Sequence, residues 1–200
     1  MTPRVPRTVH AERIVRFVRQ LTPSKGEFAG QPFRLRAWQA AILRRLFGTM
    51  HADGRRQYRT CYVELARKNG KSELAAAIAL YMLLADGEPG SEVYSAAVDR
   101  DQASLVFHAA EQMVRNDPEL LASVEIVPSQ RRMVHHASGG IYRAIPADAP
   151  SAHGYNASAV IYDELHAAPN RELWDVLTTS MGARRQPLTF VITTAGYDRQ

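Results

Sequence analysis

Residues 64–75 read ELARKNGKSELA. Gly70-Lys71-Ser72 closes the pattern G-x-x-x-x-G-K-[ST], but counting back from Gly70 puts Leu65 where the first glycine belongs. A loop of this kind aims several backbone N–H groups at phosphate from the start of a helix, where the helix dipole also favours anions. Gly70 lets the chain come close, Lys71 neutralises the β- and γ-phosphates, and Ser72 offers its hydroxyl to Mg²⁺. The first glycine only eases the exit from the preceding strand. Leu65 therefore weakens the pattern without removing its chemistry, and the flanking sequence has to decide.

Upstream, residues 58–65 (YRTCYVEL) have the aromatic and β-branched content of a strand. Downstream, residues 71–85 (KSELAAAIALYMLLA) form an almost wholly apolar helix of the kind buried against a sheet. Strand, loop and buried helix is the setting in which this motif carries weight. The alternation continues outward. Residues 91–98 (SEVYSAAV) read as a strand, and residues 101–116 as a helix with Ala103, Val106, Phe107, Ala110 and Val114 on its apolar face and Pro118 after it. Residues 124–145 hold three short strands, hairpin-like. After a Pro/Ala/Ser/Gly loop (146–154) come a strand in ASAVIYDELH (157–166), a helix in RELWDVLTTSM (171–181) and a strand in PLTFVITT (187–194). At the N-terminus, Ile14, Val15, Val18 and Leu21 mark one amphipathic helix. Leu35, Trp38, Ile42 and Leu46 mark the apolar face of a second, stopped by Gly48. The pattern predicts an α/β three-layer sandwich with a mainly parallel central sheet covered on both faces.

Composition sets the bounds. At 200 residues and 46% hydrophobic content the chain has room for one full-sized core. Its net charge is +5, and only Lys25, Lys68 and Lys71 are lysines, so the positive charge is almost all arginine, which suits a phosphate-rich partner or an arginine-favouring genome. The single cysteine, Cys61, has no internal partner for a disulfide and falls in an expected buried strand. No apolar run reaches membrane-span length, and residues 1–18 have charges interleaved throughout, unlike a signal peptide. An intracellular protein with no membrane partner is expected. The final run stops directly after a strand, so the chain is read as a piece of something longer. His135-His136 and His166 lack neighbours at ligand spacing and are not read as a metal site.

The second acidic signal lies about ninety residues beyond the loop. AVIYDE (159–164) is a hydrophobic strand delivering Asp163 and Glu164 at its C-terminal end, where parallel sheets bind ligands. Asp163 is placed to hold Mg²⁺, and Glu164 to orient and deprotonate an attacking water.

With both signals in hand, the chain resembles the N-terminal ATPase part of the large terminase subunit of tailed bacteriophages. The likeness rests on PFRLRAWQAAILRRLFG, ELARKNGKS, RDQASLVFHAAEQMV, SAHGYNASAVIYDELHA and RRQPLTFVITTAG, which run from Pro32 to Gly196 in the family's order. A phosphate loop that lacks its first glycine and carries an arginine is characteristic of that family. The resemblance implies a P-loop NTPase of the additional-strand type over residues 32–200, with a helical extension over 1–31. It implies ATP and Mg²⁺ as ligands, bound by Gln39, which would read the adenine edge, and by Arg67, Lys68, Asn69, Gly70, Lys71 and Ser72. Arg67 would stand near the γ-phosphate and act in catalysis with Lys71 and Glu164. Thr193-Thr194-Ala195 would couple hydrolysis to movement. The implied partners are double-stranded DNA, a portal protein, a small terminase subunit and further copies of the chain in a ring, in the cytoplasm of a bacterial host.

Two departures bear on this. His153 stands before Gly154 where the family often has arginine, which leaves Arg143 as the candidate for a cation supplied to a neighbouring subunit. The family's nuclease domain has no counterpart before Gln200, so this chain is not expected to cut DNA. Two alternatives stay open on sequence: the motor lobe of a nucleic-acid helicase, and a nucleotide-dependent interaction module that does not hydrolyse.

Overall fold

The structure is a computed structural model that describes residues 8–23, 25, 29–66, 69–97, 100–146, 154–167 and 170–194. Helix α1 (Val9–Gln20) is capped by the Thr8 hydroxyl, which accepts from the Ala11 amide, and buries Ala11, Ile14, Val15 and Val18. Helix α2 (Ala37–Gly48) packs against it. At their crossing the backbones approach so closely that a Cβ on Gly48 would lie 2.5 Å from the Ala11 Cβ. Strand β1 (Thr60–Glu64) leads into the phosphate-loop stretch and helix α3 (Lys71–Leu84). Residues 74–83 of α3 are buried without a break, because α1 and α4 cover the helix on the side away from the sheet. Then follow β2 (Glu92–Ala97), α4 (Arg100–Arg115), α5 (Pro118–Ser123), β3 (Val124–Val127), β4 (Arg132–His135) and β5 (Ile141–Pro146). The last elements are β6 (Ala159–Asp163), α6 (Glu172–Thr179) and β7 (Leu188–Thr193).

The seven strands form one sheet in the order β1-β7-β6-β2-β5-β4-β3. The pairs from β1 through β5 are parallel, and β4 and β3 continue antiparallel. Alternate residues feed two separate cores. Val93, Ile161, Phe190 and Ile192 meet α1, α2, α3 and α4, whereas Tyr94, Val160, Tyr162 and Val191 meet α6 and the turn after it. Burial on both faces explains why β6 and β7 read as continuous apolar runs. The expected mainly parallel three-layer α/β architecture is what forms. No helix among the described residues is long and apolar enough to cross a membrane.

Three local expectations differ. Pro118 does not merely follow α4. It opens α5, where a proline at the first helical turn loses no hydrogen bond, and the Asp117 carboxylate accepts from the Glu119 and Leu120 amides at 2.9 and 3.1 Å. The apolar face of α2 is turned from the expected one. Ala40, Leu43, Leu46 and Phe47 are buried, while Leu35, Trp38 and Ile42 sit at the core's margin, because α1 as well as the sheet-side core must be covered. The third strand of the expected hairpin-like set, β5, also pairs in parallel with β2 and so welds the hairpin to the main sheet. Cys61 is half-buried, and its thiol is pushed up to about 11 by that burial.

Candidate active site

Strand β7 lies between β1 and β6, and its C-terminal end holds both neighbours. The Leu65 amide donates to the Thr193 carbonyl at 3.0 Å, and the Glu164 amide to the Ile192 carbonyl at 2.8 Å. Leu65 thus extends β1 by one more pairing step, with its side chain against the core. A residue doing this has no need of glycine's freedom, which answers the question its presence raised. The freedom is used at Gly70, whose φ of 71° and ψ of 31° turn the chain into α3.

Beyond this turn the side chains converge. The Lys71 Nζ donates to the Glu164 Oε1 at 2.8 Å, joining residues 93 apart in sequence. The other carboxylate oxygen, Oε2, accepts from the Thr194 amide at 2.9 Å, the Thr194 hydroxyl at 2.8 Å and the Thr193 hydroxyl at 3.3 Å. Glu164 itself has φ 52°, the left-handed region that non-glycine residues seldom occupy. That turn brings its carboxylate to the same end of the sheet as the buried Asp163 next to it.

The two acids differ electrostatically. Asp163 is 4% exposed, and burial, with the Glu164 charge adding to it, pushes its carboxyl up to about 6. For Glu164, burial acts upward too, but the hydrogen bonds from Lys71 and Thr194 outweigh it and bring the carboxyl down to about 2. A buried carboxylate without its own cation, beside one already neutralised, is a donor set suited to a hard divalent cation such as Mg²⁺. Ser72, the second residue of α3, is half-buried in the same first turn.

Gln39 is 3% exposed in the first turn of α2. Its Oε1 accepts from the Arg36 amide at 2.9 Å, which fixes the amide's orientation, and a Cβ on Gly70 would lie 3.8 Å from its Nε2. Gln39 therefore borders the loop with its donor end. Arg36 also reaches the loop, donating to the Asn69 Oδ1 at 3.3 Å, while the Asn69 Nδ2 donates to the Ala66 carbonyl at 3.1 Å. Arg67, Lys68, His153 and Ala195 lie outside the described residues.

Arg143 is exposed in the middle of β5, directly opposite Arg132 of β4. Together with Arg131 and Tyr94 these two line a cleft of about 550 Å³. Like charges facing each other across strands oppose pairing. No ion pair to a carboxylate joins these three arginines among the described residues.

Sequence reasoning missed two participants. His166, in the turn after β6, places its Nδ1 3.3 Å from the Glu164 Oε2 and hydrogen-bonds to the Thr193 hydroxyl. Its place two residues beyond Glu164 was the only available signal. Arg56, between α2 and β1, is 2% exposed. It donates to Asp86 at 2.7 and 3.0 Å and to the Gln186 carbonyl at 2.6 Å, tying the approaches to β1 and β7 to the end of α3.

A strand inserted between the loop-bearing and acid-bearing strands, with lysine and glutamate meeting across it, defines a P-loop nucleoside triphosphatase of the additional-strand type. Comparison narrows the class. The family model for the terminase large subunit ATPase domain matches residues 37–200, and the chain belongs to that family. It is similar to the terminase large subunit of Enterobacteria phage HK97, at 31% identity over 188 residues that cover 92% of this chain and 36% of that protein. The crystal structure of the HK97 bacteriophage large terminase superposes with a TM-score of 0.81 and 29% identity, covering 93% of this chain and 38% of that one. The Thermus phage P74-26 large terminase ATPase domain, at 23% identity, shares the fold with a TM-score of 0.64 over 83% of this chain and 67% of that one. The chain thus spans little more than a third of the HK97 protein.

Proposed function

We propose that this chain binds and hydrolyses Mg-ATP and that, in its packaging assembly, hydrolysis drives double-stranded DNA into a prohead. The observation that carries the reading is the Lys71–Glu164 contact at 2.8 Å between the turn at Gly70 and the buried Asp163. In this arrangement Glu164 is a poor base, since its carboxyl is held near 2. Triphosphate entering the loop competes for the Lys71 ammonium, and once Lys71 turns to the phosphates the Glu164 Oε1 is released. Its basicity then rises, and it takes the proton of the attacking water. Substrate binding itself thereby switches on the base. Asp163 and Ser72 would hold Mg²⁺, which when bound neutralises charge on the phosphates.

Within this reading Gln39 presents its Nε2 to the adenine ring, and Arg67, Lys68 and Asn69 line the phosphates, with Arg67 near the γ-phosphate. Thr193, Thr194 and Ala195 transmit the state of Glu164 to β7. The hydrogen bonds of both threonines to the Glu164 Oε2 support that role. Arg143, with no carboxylate partner among the described residues, is the candidate for a cation supplied to a neighbouring subunit's nucleotide. Residues 32–200 constitute the motor, with 1–31 as its helical extension. The working assembly is a ring on a portal protein, served by a small terminase subunit, in the bacterial cytoplasm.

The test is Glu164→Gln. Binding of Mg-ATP stays within a few-fold, whereas hydrolysis measured with DNA falls by ~10²-fold or more, the range for losing a general base. Hydrolysis at the unmodified rate would remove Glu164 as the base.

A further inference from the structure

The contact between His166 and Thr193 has no part in the reaction as described so far. The imidazole Nδ1 lies beside two oxygens, the Glu164 Oε2 at 3.3 Å and the Thr193 Oγ1. The ring's hydrogen bond is to the Thr193 hydroxyl, and a proton on Nδ1 is the arrangement that sets an N–H rather than a lone pair beside the carboxylate charge. The Thr193 oxygen then accepts from His166 and keeps its own hydrogen to donate. That hydrogen has two acceptors within range, the Glu164 Oε2 at 3.3 Å and the Thr194 carbonyl at 3.5 Å. Thr193 is 1% exposed, so water does not offer a third.

We propose that His166 is a positioning residue for the Glu164 carboxylate, acting through the Thr193 hydroxyl. By occupying one lone pair of the Thr193 Oγ1, His166 steers its hydrogen toward Glu164 rather than toward the Thr194 carbonyl. The relay runs from the His166 Nδ1–H to the Thr193 hydroxyl and on to the Glu164 Oε2. With Oε2 held by β7, Oε1 is the oxygen left to face Lys71 and, after Lys71 turns away, the water. The left-handed backbone of Glu164 makes such holding necessary, because that conformation is disfavoured and persists only where side-chain contacts over-determine it. His166 also ties the turn after β6 to the end of β7, so movement of either one disturbs the base.

The proposal rests on Glu164 as the base, and the experiment separates the two. Single-turnover hydrolysis and Mg-ATP affinity are measured for the unmodified chain, Glu164→Gln, His166→Ala, His166→Asn, Thr193→Val and the His166→Ala/Thr193→Val pair. His166→Ala slows hydrolysis about tenfold, less than the ~10²-fold loss of a base, and leaves affinity within twofold. His166→Asn, whose amide keeps an N–H near the Nδ1 position, recovers most of the rate. The double variant is no slower than Thr193→Val alone, as two residues of one relay require. An unmodified rate in His166→Ala while Glu164→Gln is inactive overturns the proposal, as do losses that multiply in the double variant. Should Glu164→Gln hydrolyse normally, the base assignment fails instead. Long-range ¹H–¹⁵N spectra of the histidine rings then still decide the relay, with the His166 signal assigned from its loss in His166→Asn. A protonated Nδ1 whose shift changes in Thr193→Val supports it, and an unprotonated Nδ1 overturns it.

Discussion

Asp163 and Glu164 are neighbours in sequence, yet their surroundings drive their carboxyls apart, to about 6 and about 2. The split matches the tasks proposed for them, one waiting for a cation and one holding a cation until substrate takes it. It also has a stability signature. The folded-state value of Asp163 lies above the ordinary value of 3.8, so the folded chain binds that proton more tightly than the unfolded chain does. Stability from this group is full below pH ~4 and is lost as pH rises through 6, at a cost on the order of 2–3 kcal/mol. Glu164 runs the other way, adding stability above its ordinary value that is lost only as pH falls through 2, so it is constant in the working range. Asp163→Asn should therefore stabilise the metal-free chain, with urea midpoints separating from about pH 4 to about pH 6.5 and the gap level above that. A gap that stays constant across that range would show that the ionised carboxylate is not the source of the cost. Gln39 offers a second test at this scale. If its Nε2 reads adenine, Gln39→Ala weakens ATP binding and flattens discrimination against GTP, whereas Lys71→Ala weakens both nucleotides alike. Equal losses for ATP and GTP in the Gln39 variant remove the assignment.

At the scale of elements, the site is a meeting of strand ends, and its precision depends on what fixes those strands in register. β7 is pinned between β1 and β6 by backbone pairing, and its approach is held by the Arg56–Asp86 pair with the Gln186 carbonyl. Both members of that pair are almost fully buried, at 3% and 5% side-chain exposure. Removing one partner leaves the other as an uncompensated buried charge, so Asp86→Ala should destabilise the chain by roughly 3–5 kcal/mol. Replacing both by apolar residues should cost much less. Equilibrium urea unfolding measures the difference, and a single variant within 1 kcal/mol of the parent would contradict this reading of the pair. α1 and α2 set the other boundary. Ile14, Val15 and Val18 of α1, each at 1% exposure or less, join the core that backs α3. Burial of such side chains contributes about 1.5–3 kcal/mol each, so α1 is held as firmly as any central element.

For the molecule as a whole, the described surface has few large exposed apolar side chains. Val9, Tyr62, Leu105 and Leu121 stand on four different elements, α1, β1, α4 and α5. Stable interfaces are built on contiguous patches rather than scattered residues. By itself the chain should therefore sediment as a monomer at micromolar concentration and turn over ATP slowly, because the proposed site is completed between neighbours on a portal. A stable ring with fast turnover in its absence would overturn this. The net charge of +5 adds that any DNA binding should weaken steeply with salt.

Much of this molecule is written locally. The apolar run of α3, the strand-like composition around it and the GKS triplet specify a strand, a loop and a buried helix through propensity and motif chemistry alone, and AVIYDE specifies an acid-bearing strand end. These are short-range properties, so Lys71, Ser72, Asp163 and Glu164 stand out in the sequence as candidates. The α5 cap was also local, but Pro118 reads as a breaker until Asp117 is seen satisfying the amides after it. What local sequence does not contain is which strand lies beside which. Only the sheet order sets β7 between β1 and β6, and only that order brings Thr193 and Thr194 onto Glu164 and Lys71 across to it. His166 and Arg56 were invisible for the same reason. A histidine in a turn and an arginine in a polar stretch acquire roles only when residues 27 and 30 positions away pack against them. Periodicity records whether a side chain faces inward, and long-range packing alone decides what it meets there.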